Sequence, residues 1–134
     1  MTYWLLKTEP SEYSYGDLEQ EGKTRWDGVS NNLALMHLRS MVKGDRALIY
    51  HSGKEKALVG IAEIVSSPYP DPRRNNPKIV VVDIVPRQRL AKPVPLDAIK
   101  ARKVFAHLPL VRMPRLSVMP LSSQDWNALL AMAK

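Results

Sequence analysis

The chain has 134 residues and no cysteine, enough for one core that buries roughly two-thirds of the unfolded surface without disulfides. Its net charge of +7 lies in the second half: residues 1–70 hold 8 Lys/Arg against 9 Asp/Glu, residues 71–134 hold 12 against 4. A field of that sign favours polyanions. No apolar run reaches the ~20 residues of a bilayer span and no charged-then-apolar leader opens the chain, so a cytoplasmic protein with no membrane role is expected.

Tyr3 to Lys7 is short, apolar and aromatic on both alternating faces, which predicts a central strand ended by Pro10. Ser14 and Asp17 form a capping-box pattern for a short helix that Gly22 stops. Asn31 suits the cap of a second helix with Leu35, Leu38 and Val42 at helical spacing, after which Lys43-Gly44-Asp45 turns the chain into sheet. Strands are predicted over 46–51, 58–65 and 78–85, the first two joined as a hairpin around Ser52-Gly53-Lys54. Between the last two, residues 66–77 carry four prolines, two asparagines and Arg73-Arg74, a composition that predicts a basic loop.

A helical turn follows Pro95 over 96–101, a short strand is expected over 116–119, and Ser122 with Asp125 caps a last helix whose apolar stripe is Trp126, Leu129, Leu130 and Ala133. Strands and helices that interleave without regular alternation predict an α+β domain with a curved, barrel-like sheet. No repeat or interdomain linker interrupts it, so residues 1–134 are expected to form a single domain and a monomer.

Candidate chemistry gathers where aromatics meet polar groups. Trp26, just ahead of Asp27-Gly28, is either a core plug or an indole on a loop edge able to stack on a base. Trp4 and Trp126 are assigned to the core. Tyr50, His51 and Ser52 end a strand, and all three line one pocket only if the strand bulges there. His51 then either meets a base edge or is tied to backbone. Lys7, Thr8 and Glu9 read as a hydrogen-bonding rim or, less readily, as a nucleophile with its base. Asn31 is an N-cap or a base contact. Arg112, Arg115 and Ser117 suit a phosphate clamp, and Arg73 with Arg74 suits generic backbone contacts.

His37, His51 and His107 are far apart in sequence and no Gly-rich phosphate loop opens a helix, so neither a metal nor a nucleotide cofactor is expected.

The segments Tyr3-Trp4-Leu5-Leu6-Lys7-Thr8-Glu9-Pro10, Trp26-Asp27-Gly28-Val29-Ser30-Asn31 and Tyr50-His51-Ser52 resemble the EVE domain, a family of the PUA-like superfamily. The likeness continues through Gly60-Ile61-Ala62-Glu63, Pro68-Tyr69-Pro70-Asp71-Pro72 and Arg115-Leu116-Ser117-Val118, nearly the whole chain. It implies a PUA-like pseudo-barrel related to YTH and ASCH domains. The implied function is binding of nucleic acid, DNA or RNA, that carries a modified base such as a modified cytosine. The resemblance places Trp26, Asn31, Tyr50, His51 and Ser52 at the base pocket, Lys7, Thr8 and Glu9 at its rim, and Arg115 with Ser117 on phosphate.

Two departures stand out: Ser30 replaces a frequent arginine, and Leu33, Leu35 and Met36 replace polar or basic residues. A metal-independent amidohydrolase acting on a modified nucleoside, suggested by ASCH relatives, is the alternative. A protein-interaction module whose basic half docks an acidic partner is the third reading.

Overall fold

In the computed structural model, which describes residues 1–134, the chain opens with β1 (Tyr3–Thr8), α1 (Tyr15–Glu21), β2 (Thr24–Trp26) and α2 (Asn32–Arg39). The strands β3 (Arg46–His51), β4 (Ala57–Ile64), β5 (Tyr69–Pro70) and β6 (Val80–Pro95) follow. Then come α3 (Leu96–Lys100), a 3-10 turn over Lys103–Phe105, α4 (Pro109–Arg112), β7 (Val118–Leu121) and α5 (Ser123–Ala131). All seven strands join one mixed sheet in the order β2-β6-β4-β3-β1-β7, with β5 added to β6. Only β1 and β3 run parallel, because α1, β2 and α2 form the crossover between them. The α+β expectation holds.

Side-chain caps start α1, α2 and α5. The Ser14 hydroxyl accepts from Asp17 N–H while the Asp17 carboxylate accepts from Ser14 N–H, and Gly22 closes α1 at φ 77°. Asn31 Oδ1 accepts from Ala34 N–H at 3.0 Å to start α2. That helix ends at Arg39, so Val42 lies beyond it and is 61% exposed, while Met41 supplies the buried contact expected of Val42. At α5 only half of the predicted box forms. Ser122 Oγ accepts from Asp125 N–H, but the Asp125 carboxylate turns to His107 Nε2 at 2.8 Å. In the same helix Trp126 and Leu129 are buried and Leu130 only partly, while Ala133 of the expected stripe is buried just beyond the helix end at Ala131.

The sheet departs from expectation chiefly in β6, which continues from Val80 to Pro95 instead of ending at residue 85. Pro86 pairs with Ala62 beside a register shift, and a second shift falls between Leu58 and Gly60. Bulges of this kind accommodate proline and bend the ladder, so one long strand serves both β2 and β4 around a curve. Residues 66–77 are not wholly loop either: Tyr69 and Pro70 form β5 against β6, and Asp71 is 3% exposed. The strand expected over 116–119 begins at Val118.

Thirty-six buried residues form one core, with Trp4 and Trp126 in it as assigned. Trp4 Nε1 donates to Asp45 Oδ2 at 3.0 Å, and Tyr3 stacks on Trp126 with ring centroids 4.4 Å apart. Tyr15 fastens α1 across β4: its hydroxyl donates to the Ile61 carbonyl at 2.7 Å and its ring covers Gly60, where an added Cβ would stand 2.3 Å from the ring. Glycine is required there by contact.

Candidate nucleic-acid site

Beyond the C-terminal end of β1 the structure opens into a hollow of about 480 Å³. One wall is the strand end itself, Lys7 and Thr8, with Glu9 after it. The facing wall is β2 and the turn that follows it, Thr24 to Val29. Gly28, at φ 81°, lets the chain leave Trp26 without strain. Glu12 and Tyr13, ahead of α1, and Ser117, just before β7, complete the lining. Ser117 arrives there through the sheet, since its carbonyl accepts from Lys7 N–H at 2.9 Å.

The aromatic part is a corner. Tyr13 meets Trp26 edge-on, with ring centroids 6.3 Å apart and planes at 83°. Trp26 is only 7% exposed, close to Trp4 at 4% and Trp126 at 5%, yet it alone of the three lines the hollow. The Tyr13 hydroxyl donates to Glu21, and burial together with that carboxylate pushes its pKa up to about 12, so the phenol stays neutral through the physiological range.

The polar rim is already engaged with the protein. Thr8 Oγ1 donates to the Tyr13 carbonyl at 2.7 Å. Lys7 Nζ donates to the Pro114 carbonyl at 2.9 Å and sits 5.6 Å from the centre of the Tyr50 ring, and burial lowers its pKa. Glu9 Oε2 accepts from both Ser11 N–H and Ser11 Oγ, which holds its carboxyl below the usual value. Asp27 is paired with Arg73, whose Nε also lies 3.6 Å from Asp71 Oδ1. No side-chain hydrogen bond links Lys7, Thr8 and Glu9 to one another.

Of the residues singled out from sequence, Trp26, Lys7, Thr8, Glu9 and Ser117 therefore meet in one hollow. Others do not. The bulge anticipated at Tyr50 exists, as a register shift between Ile49 and Tyr50, but Tyr50, His51 and Ser52 stand outside the lining. His51 is 6% exposed: its Nε2 accepts from Tyr15 N–H at 2.9 Å, which leaves the proton on Nδ1 to donate to Glu55 Oε1 at 3.0 Å. Both ring nitrogens are spent on joining β3 to α1 and to the hairpin. Ser52 N–H donates to the Thr8 carbonyl, so the tripeptide backs the rim from behind.

Asn31 and Arg115 lie together in a neighbouring hollow of about 420 Å³ with Leu33, Met113, Pro114 and Leu116. Arg112 and Arg74 are exposed. Tyr13, Thr24, Arg25, Asp27 and Val29 line the main hollow without having been singled out individually; Asp27 and Val29 stood inside a quoted motif, which is the one signal that pointed to them. No group of three or more His, Asp or Glu side chains is placed to hold a metal ion, and no helix is long and apolar enough to cross a membrane.

The EVE domain family model matches residues 2–132. Thymocyte nuclear protein 1 of rat is 31% identical over 97% of this chain and 73% of its own length, and the human protein is 30% identical over 98% and 73%. A solved protein of Rhodopseudomonas palustris superposes with a TM-score of 0.94 at 41% identity, covering 99% of this chain and 93% of that one. Human THYN1, solved in complex with 5-methylcytosine containing DNA, superposes with a TM-score of 0.92 at 29% identity over 100% and 98%. An ASCH protein of Zymomonas mobilis shares the fold alone, at 12% identity and a TM-score of 0.62. The curved mixed sheet with short helices is thus the PUA-like fold, and the chain belongs to the EVE domain family.

Proposed function

We propose that this chain is a single-domain, cytoplasmic reader of nucleic acid that carries a modified base, and that the base enters the hollow between β1 and β2. The observation that carries the reading is the hollow itself: about 480 Å³, with an aromatic corner of Trp26 and Tyr13 and a polar rim. That lies within the roughly 300–1,000 Å³ usual for small-ligand sites. The ligand class is supported by the likeness to human THYN1, whose structure contains 5-methylcytosine DNA. Trp26 supplies the apolar wall, while Asp27 and Ser117 offer acceptors to a base's exocyclic amine. Lys7, Thr8 and Glu9 shape the rim, and Tyr50, His51 and Ser52 hold that rim in place rather than touching the base. Arg115 takes phosphate; Asn31 acts chiefly as a cap.

Catalysis is the weaker reading. A Thr8 nucleophile needs a base within hydrogen-bond reach, whereas its hydroxyl is directed at the Tyr13 carbonyl and both neighbours face elsewhere. The test is equilibrium binding of short DNA duplexes that are identical except for one 5-methylcytosine or plain cytosine. The methylated duplex should bind more tightly, and Trp26→Phe should narrow the gap, since base–aromatic stacking is worth about 1–3 kcal/mol. Equal affinity of wild type for both duplexes, together with turnover of an acylated nucleoside, would replace the reader by the hydrolase.

A further inference from the structure

We infer that the segment from Lys100 to Arg115 is a second contact surface, a track for the sugar-phosphate backbone of a DNA duplex whose modified base occupies the hollow. Between Asp97 and Asp125 the chain carries no acidic residue but five cations, Lys100, Arg102, Lys103, Arg112 and Arg115. All five are exposed. None makes an ion pair, whereas Arg46, Arg73, Arg87 and Arg89 each face a carboxylate. Several other unpaired cations alternate with acids along the chain, as Lys54 and Lys56 do around Glu55. Here nothing of opposite sign intervenes.

The segment is also held in place. Ile99, Phe105, Leu108, Leu110 and Leu116 are each at most 4% exposed, and they pin α3, the 3-10 turn and α4 to the core. The cations between them are displayed from a fixed frame, which lowers the ordering cost of a contact. One end of the segment reaches the mouth of the site, and the other starts from the sheet edge that also carries the rim. At one end, Thr8 pairs with His51, His51 with Ala57 and Ala57 with Pro95, so α3 begins at the same edge of the sheet as the rim. Asp97 is near enough to Tyr50, under Lys7, to raise that phenol's pKa after burial has done so. At the other end, Pro114 accepts from Lys7 and Ser117 lines the hollow.

A duplex from which one base has been extruded presents phosphates on both sides of the gap, and a positive ridge that leads to the pocket answers them. Lys100, Arg102 and Lys103 enter the site here on position and charge alone; no sequence motif marks them. The choice of nucleic acid over another polyanion rests on the base-reading proposal.

The experiment compares wild type with a triple variant, Lys100→Gln, Arg102→Gln and Lys103→Gln, on the 5-methylcytosine duplex at four salt concentrations. Thermal unfolding confirms the fold of the variant, which alters only exposed side chains. Each phosphate contact contributes about 0.9 to the slope of log K against log salt, so loss of three should flatten it by about 2.7. The preference for methylated over plain duplex should persist. An unchanged slope overturns the track even if methyl preference is intact; a flattened slope with no methyl preference in wild type upholds the track and sinks the base reading instead. Vesicles containing phosphatidylserine serve as the second arm. Binding there that the triple variant loses, with an unaltered DNA slope, would reassign the surface to anionic lipid.

Discussion

Arg73 binds the Asp27 carboxylate and brings its Nε within 3.6 Å of Asp71 Oδ1, so a single exposed side chain ties the segment 66–77 to the rim of the hollow. Its charge is therefore answered inside the protein, unlike that of Arg115. Arg73→Gln should cost some stability: its exposed pair with Asp27 contributes at most about 1 kcal/mol, and the buried Asp71 carboxylate also loses a neighbouring cation. It should weaken DNA binding a few-fold, since Asp27 then faces the phosphates uncompensated. The slope of log K against log salt should move by much less than the 0.9 of a lost phosphate contact. A full 0.9 decrease would make Arg73 a phosphate ligand after all.

Gly60 and Tyr15 make the tightest test of the fold. A Cβ at residue 60 would stand 2.3–2.7 Å from three atoms of a ring that is 1% exposed and bonded through its hydroxyl to Ile61. Overpacking of this kind costs about 1–3 kcal/mol. Gly60→Ala should lower the urea midpoint accordingly, and Gly60→Ala with Tyr15→Leu should recover part of the loss. Independent, additive losses would show that the two residues do not collide.

Much of the local structure was legible because it is written in adjacent residues. The caps at Ser14, Asn31 and Ser122, the Gly22 stop and the core positions of Trp4 and Trp126 all depend on patterns a few residues long. The length of β6 was hidden because Pro86, Pro93 and Pro95 argue locally against a strand, and only a bulged partner makes them acceptable. The site was legible in part for the same reason. Trp26 and the strand end 7–9 announce themselves, but Tyr13 and Thr24 join them only through the fold. His51 misleads for a physical reason: its ring nitrogens answer Tyr15, 36 residues away, and Glu55, so a residue that looks available is fully committed.

Tyr13, Tyr15, Tyr50 and Tyr69 all have raised pKa values, with burial the leading cause in each, and Tyr13 is pushed up to about 12. A phenol near 10 when unfolded releases its proton earlier from the unfolded chain than from the folded one. The folded state then binds more protons, and stability falls as pH rises. The contribution is complete below about pH 10 and drains away between there and about 12. Urea midpoints should thus be flat from pH 7 to 9 and fall steadily above 10. A midpoint that climbs above pH 10 would contradict the burial of these rings.

Asn31 separates structure from recognition most cleanly. Its Oδ1 is used by Ala34 N–H, and the residue lines the hollow beside Arg115 instead of the one beside Trp26. Serine caps as well as asparagine, whereas alanine does not and costs about 1 kcal/mol. If the cap is the whole role, Asn31→Ser should match wild type in both stability and preference for the methylated duplex. Asn31→Ala should lose stability yet keep that preference, because the Trp26 wall and the Asp27 and Ser117 acceptors are untouched. A serine variant that folds normally but no longer distinguishes methylated from plain cytosine would move the base, or a neighbouring nucleotide, into the second hollow. The two outcomes differ in a side-chain amide that serine lacks, so one pair of variants decides between them.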